Sequence, residues 1–136
     1  MPPVHVVCAL IWDESSARVL IARRPQGKRL AGMWEFPGGK VDAGEATADA
    51  LHRELREELE CEIEIIETLS DVSHDYPWGG IIMTPFVCRL RAGSPPPRAV
   101  EHAEIAWVPW DAIPRHDLAP ADLPILGLFA PLARRA

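Results

Sequence analysis

The apolar positions of this chain fall into blocks whose spacing changes from one block to the next. "VHVVCALIW", Val4 to Trp12, is apolar and rich in β-branched residues, which predicts a buried strand. Asp13-Glu14-Ser15-Ser16 reads as a turn, and "RVLIARR" resumes strand character from Arg18, so the two runs predict a hairpin. Residues 25–34 carry no period and predict a loop. "WEFPGGK" is a short extended piece stopped by Pro37 and the following glycines. From Thr47 to Leu59 the spacing becomes helical: Ala48, Leu51, Leu55 and Leu59 form one stripe, with Thr47 as the expected N-cap. "CEIEIIETL" returns to strand character from Cys61. Gly80 to Arg91 is a second strong strand, in which Pro85 points to an edge or a bulge. After the loop "AGSPPPRA", a short strand starts at Glu104, and residues 111–120 are irregular. "ADLPILGLFAPLARR" predicts a final helix that opens near Ala121, with Pro124 in its first turn.

Strands first, one central helix, more strands and a terminal helix predict an α/β chain with a mixed sheet between helices. No internal repeat and no linker divides it, so residues 1–136 are expected to form a single domain. Composition narrows the chemistry. A net charge of −6 with no block of lysine or arginine argues against a polymeric nucleic-acid partner. A small phosphate ligand fits only if metal ions supply positive charge. Cys8, Cys61 and Cys88 are odd in number and scattered, which predicts reduced thiols and a cytoplasmic setting. Pro2 and Pro3 lead straight into the first strand, so no signal peptide is expected. No apolar run has the length of a membrane span, so no membrane partner is expected.

The densest chemistry lies in "FPGGKVDAGEATADALHRELREELE", Phe36 to Glu60. On a helical wheel Glu54, Glu57 and Glu58 share one face, beside the leucine stripe. Like charges at that spacing repel, and more so at the border of a core. Arg53–Glu57 and Arg56–Glu60 ion pairs on a solvated helix are one way to offset the repulsion. A divalent cation is the other: Mg²⁺ favours carboxylate oxygens and main-chain carbonyls, and glycines let the backbone come close.

Spacing separates these readings. Gly39, five residues, Glu45, seven residues, then Arg53-Glu54-Leu55-Arg56-Glu57-Glu58 resembles the Nudix box, G-x5-E-x7-R-E-U-x-E-E-x-G-U. The departures are Glu60, where that family has glycine, and Cys61, where it has an aliphatic residue. That glycine normally lets the helix stop in a left-handed conformation, so either Glu60 is strained at positive φ or the helix ends differently.

The resemblance implies a Nudix-type α/β/α sandwich and hydrolysis of a nucleoside diphosphate linked to another group. Carried over by position, Glu54, Glu57 and Glu58 would be metal ligands, with the carbonyl of Gly38 as a further one. Glu45 and Arg53 would brace the loop that starts at Gly39 against the helix. A later glutamate often completes such sites; Glu101 ranks first and Glu104 second. The cofactor implied is Mg²⁺, with Mn²⁺ as substitute, and either Glu54 or the loop glutamate would take the proton of the attacking water.

"AGMWEFPGGKVDAGE" and "LAPADLPIL" also resemble the MutT-like branch, including its CTP pyrophosphohydrolases and oxidised-nucleotide triphosphatases. That implies a pyrophosphohydrolase giving nucleoside monophosphate and pyrophosphate from CTP-like or 8-oxo-dGTP-like substrates, in nucleotide-pool sanitation. Other members of the family act on ADP-ribose or dinucleoside polyphosphates, and a non-catalytic nucleotide-binding module is the alternative outside enzymes. Asp122 stands where the branch reads the base; it equally suits the cap of the last helix. An ionised carboxylate there would accept from an amine such as cytosine N4. Tyr76 and Trp78 could stack on a base or simply pack. Arg23 is a candidate nucleotide contact or a solvated strand end. His74 and His102 lack metal spacing and read as loop residues.

Overall fold

A computed structural model describes residues 2–114 and 117–133, without side chains for 130–133. Val4–Asp13 forms β1 and Arg18–Arg23 forms β2, as the alternation of apolar runs predicts. Their hairpin pairing covers only Trp12↔Val19 and Asp13↔Arg18. Beyond that the strands diverge, and β2 pairs with β8 (Glu104–Pro109) and with the two-residue β3 (Trp34–Glu35). The other side of β1 is parallel to β7 (Gly79–Leu90), from Val4↔Ile81 to Ile11↔Cys88. β4 (Gly38–Lys40) lies antiparallel along β1, with Cys8 opposite Gly38. The sheet is therefore mixed.

Alternation along β1 sends its side chains to opposite faces. Val7, Ala9 and Ile11 meet Leu51, Leu55 and Leu59 of α1 (Thr47–Leu59), while Cys8, Leu10 and Trp12 meet Ile125, Leu126 and Phe129 of α2 (Leu123–Ala133). Two cores on two faces make the α/β/α sandwich.

Several local expectations change. The N-cap of α1 is Ala46, without a side-chain cap bond, and Thr47 is already helical. Ala50, not Ala48, joins the fully buried stripe. Pro85 lies in a central strand rather than at an edge: it faces Cys8 on one side and falls between the pairings of β5 (Ile63–Thr68) and β6 (Val72–Tyr76) on the other. Its missing N–H costs no ladder bond there, and its carbonyl accepts from Leu69 at 2.9 Å. The bulge sits on the neighbouring β5, between Ile65 and Glu67. Strand β6 itself is missed by the hydrophobic pattern, because "VSHDY" alternates between half-buried and exposed positions. The last helix is preceded by a 3-10 turn at Pro120–Asp122 and begins at Leu123; its expected continuation to Arg135 lies outside the described residues. Among the described residues, no helix is long and apolar enough to cross a membrane.

Candidate active site

Two glycines bring the acidic helix against β1. A Cβ on Gly38 would overlap the carbonyl of Val7, so only glycine lets β4 lie this close to β1. A Cβ on Gly39 would occupy the space of the Glu54 carboxyl. The turn between β4 and α1 is held by Arg53. Its guanidinium binds Glu45 through Nε and Nη2, each at 2.9 Å, and reaches the carbonyl of Lys40 and Oε1 of Glu54 at 2.9 Å. This fork holds Glu45 well below the usual carboxylate range, at about 2. Arg53 also lies 3.5 Å from Glu57, as a helix-surface pair would have it, whereas Arg56 turns to Glu62 instead of Glu60.

The three glutamates of the helix face have different surroundings. Glu57 is more than half exposed. Glu54 is packed between Gly39 and Arg53, and burial raises its pKa. Glu58 is the most enclosed: burial pushes it up to about 8, reinforced by Glu54, Glu35 and Glu101. Its Oε2 is buried with no hydrogen-bond partner among the described residues. A desolvated carboxylate oxygen without a donor is unfavourable, and a hard cation is its natural complement. Among the described residues, no group of three acidic or histidine side chains is already drawn together as a metal cage. Glu54, Glu57 and Glu58 nonetheless have the donor chemistry for Mg²⁺; Glu54 and Glu58 share a cavity with Gly38, and Glu57, on the same helix face, is not among its lining residues.

Glu54, Glu58, Gly38 and Glu101 line a cavity of about 770 Å³, ample for a nucleotide. Glu104 lies outside it, paired with Arg23 at 3.1 Å. Arg23 is thus not brought to the cavity. The next residue, Arg24, is: it binds Glu35 at 2.9 Å and the carbonyl of Arg29 at 2.6 Å. Arg23 is the last residue of β2 and Arg24 the first beyond it, so the chain turns between them and sequence alone could not choose between the two arginines.

Asp122 and Tyr76 line the same cavity. Asp122 is 5% exposed and does not cap α2; its Oδ2 accepts the main-chain N–H of Phe36 at 2.7 Å. Burial, with the charge of Glu35 behind it, pushes its pKa well above the ordinary value. The carboxyl therefore holds a proton more readily than a solvated aspartate, and a protonated carboxyl donates as well as accepts. Tyr76 accepts the N–H of Ala121 at 3.0 Å and stacks on Trp78 at 4.8 Å, with Arg29 over the indole at 4.4 Å. Its ring therefore supports the Asp122 turn as well as the cavity wall. His102, read from sequence as a loop residue, is almost fully buried on the cavity wall against Glu35. Its packing comes from a contact 67 positions away along the chain, which no local pattern announces.

The NUDIX domain profile matches residues 1–129. The chain is 36% identical over 132 residues to the CTP pyrophosphohydrolase of Escherichia coli K12, covering 97% of this chain and 95% of that protein. It is 39% identical over 74 residues to the 8-oxo-dGTP diphosphatase of Proteus vulgaris, covering 54% of this chain and 65% of that protein. The crystal structure of the MutT NUDIX hydrolase from Burkholderia pseudomallei superposes with a TM-score of 0.78 at 31% identity, over 94% of this chain and 98% of that one.

Proposed function

The chain belongs to the Nudix family, and from that premise we propose that it hydrolyses nucleoside triphosphates to a nucleoside monophosphate and pyrophosphate. The observation that carries the reading is a single cavity lined both by Glu54 and Glu58 of the acidic helix, each half-buried, and by the buried carboxyl of Asp122. The acidic helix alone would repel a polyphosphate. Bound Mg²⁺ would supply the missing positive charge and make water a better nucleophile. Glu54, Glu57 and Glu58 would hold it, with the Gly38 carbonyl and Glu101 as further donors. Arg53 keeps Glu54 and the β4 turn in place. Glu54 or Glu101 takes the proton of the attacking water.

The chemistry of Asp122 favours a base with a hydrogen-bonding edge. Ionised, it accepts from an amine such as cytosine N4; protonated, it donates to a carbonyl such as guanine O6. Both fit the substrates named for the relatives, so the class proposed is cytosine and oxidised-guanine nucleoside triphosphates, in nucleotide-pool sanitation. The test is a panel of CTP, dCTP, UTP, dGTP and 8-oxo-dGTP with Mg²⁺, with products separated. Monophosphate plus pyrophosphate from a cytosine or oxidised-guanine nucleotide supports the reading. Release of orthophosphate, or tight binding with no turnover in Mg²⁺ or Mn²⁺, overturns it.

A further inference from the structure

The cations that line the cavity differ in what holds them. Arg24 is committed to Glu35 at 2.9 Å. Arg29 is not committed to any carboxylate: among the described residues its guanidinium makes no ion pair, although Glu35, Glu54, Glu58, Glu101 and Asp122 line the same cavity. It lies instead over the ring of Trp78, 4.4 Å from the centroid. That contact uses the flat face of the guanidinium and leaves its N–H bonds, which point outward in the plane, able to donate. Arg29 is exposed, so those donors are open to a ligand.

The position of Arg29 is set from several directions. Trp78 is itself stacked on Tyr76 at 4.8 Å, and the Tyr76 hydroxyl takes the N–H of Ala121 at 3.0 Å. The main-chain carbonyl of Arg29 accepts Nε of Arg24 at 2.6 Å. Leu30, the next residue, has φ 58°, a left-handed conformation that is costly for a side chain of its kind. Its carbonyl accepts the N–H of Met33 at 3.0 Å, and the Met33 carbonyl accepts the N–H of Arg24 at 2.9 Å. The loop is thus closed on itself, and Arg29 pins it to the turn between β6 and β7. A guanidinium held in this way loses less freedom on binding than one that moves in solvent. Lys28 also lines the cavity, but among the described residues no hydrogen bond or ion pair holds its ammonium.

The next step rests on the function proposed above. A nucleoside triphosphate carries its negative charge on the phosphate chain, and a bound divalent cation cancels only part of it. We propose that Arg29 is a substrate-binding residue, its guanidinium donating hydrogen bonds to the phosphate chain of the bound nucleotide. The planar fork suits two phosphate oxygens at once, and Trp78 presents it. A purely structural role, pinning the loop to Trp78, makes different predictions.

The experiment measures kcat and KM with Mg²⁺ for one hydrolysed triphosphate, at rising KCl, in the wild type and three variants. Arg29→Gln should raise KM about tenfold, the worth of a charge-assisted hydrogen bond, with a much smaller change in kcat. It should also flatten the loss of kcat/KM with salt, because a charge that meets the substrate is gone. Trp78→Leu leaves the cation but removes its support, so it should raise KM less and keep the salt dependence of wild type. Lys28→Gln removes the same charge one position away and should change KM least. An unchanged KM in Arg29→Gln overturns the proposal and leaves the pyrophosphohydrolase reading standing. An equal effect of Lys28→Gln overturns it too, since the charge of the loop and not a fixed fork would then be at work. So does an Arg29→Gln variant that matches Trp78→Leu and keeps the salt dependence of wild type, the signature of a loop pin. A wild type that hydrolyses no triphosphate removes both readings together.

Discussion

The carboxylate of Asp122 takes the main-chain N–H of Phe36 at 2.7 Å, across 86 positions of sequence. This bond ties the entrance of α2 to the turn before Gly38 and Gly39, so Asp122 and the loop leading to the acidic helix share one support. Asp122→Ala leaves the Phe36 N–H buried and alone, at a cost of roughly 1–3 kcal/mol in urea unfolding. Asp122→Asn keeps an acceptor and should stay within about 1 kcal/mol of wild type. If Asp122 also meets the base, the alanine variant should change the cytosine-to-uracil ratio of kcat/KM by about tenfold or more. An alanine variant as stable as wild type would show that the bond holds nothing together.

The raised pKa of Asp122 has a pH signature. In the unfolded chain the group titrates near 3.8, while the folded chain keeps the proton to higher pH. Between those values the folded state binds more protons, so this group's contribution to stability is present at low pH and lost as pH rises through the folded pKa. The melting temperature of Asp122→Asn relative to wild type should therefore rise with increasing pH from about 4 upward. A difference that shrinks instead would mean the Phe36 bond outweighs burial and the carboxylate is ionised.

Glu58 behaves alike on the acidic helix, with metal as a second variable. In chelator its contribution is fully present below about 4.5 and lost as pH rises through about 8. Glu58→Gln lacks that titration and should melt above wild type in EDTA at alkaline pH. With Mg²⁺ added, wild type should gain stability by mass action and the variant should gain little. Equal Mg²⁺ stabilisation of both proteins would take Glu58 out of the ligand set.

Glu57 is the most exposed of the three helix glutamates, so its substitution separates catalysis from folding. Glu57→Gln should melt no lower than wild type without metal and lose turnover by roughly a hundredfold or more. Near-normal turnover would sink the metal-site assignment.

Glu60 ends α1 at φ 52° and ψ 40°, the left-handed conformation. A side chain there is strained, and the exposed ion pair it makes with Arg98 at 3.2 Å contributes little. Glu60→Gly should raise stability by about 1 kcal/mol, or roughly 3–5 °C in melting temperature, with turnover unchanged. A lower melting temperature would mean the lost side-chain contacts outweigh the relieved strain.

Much of this protein is determined along the chain itself. The leucine stripe of α1, the apolar runs of β1 and β7 and the glycines before the helix announce their elements through local spacing, because period and backbone freedom are local properties. Glu54, Glu57 and Glu58 share a face for the same reason, whereas the left-handed helix end at Glu60 was one of two endings the sequence allowed, and the structure decided it. Tertiary structure decided what spacing cannot encode. Strand pairing took Arg23, the last residue of β2, to Glu104, and the chain leaving the strand took Arg24 to Glu35 and the cavity, which only the packed sheets decide. Burial made Glu58 and Asp122 unlike ordinary carboxylates, because desolvation depends on everything that surrounds a group. His102 became a wall of the site through Glu35, a residue far away in sequence that the fold brings within 3.0 Å.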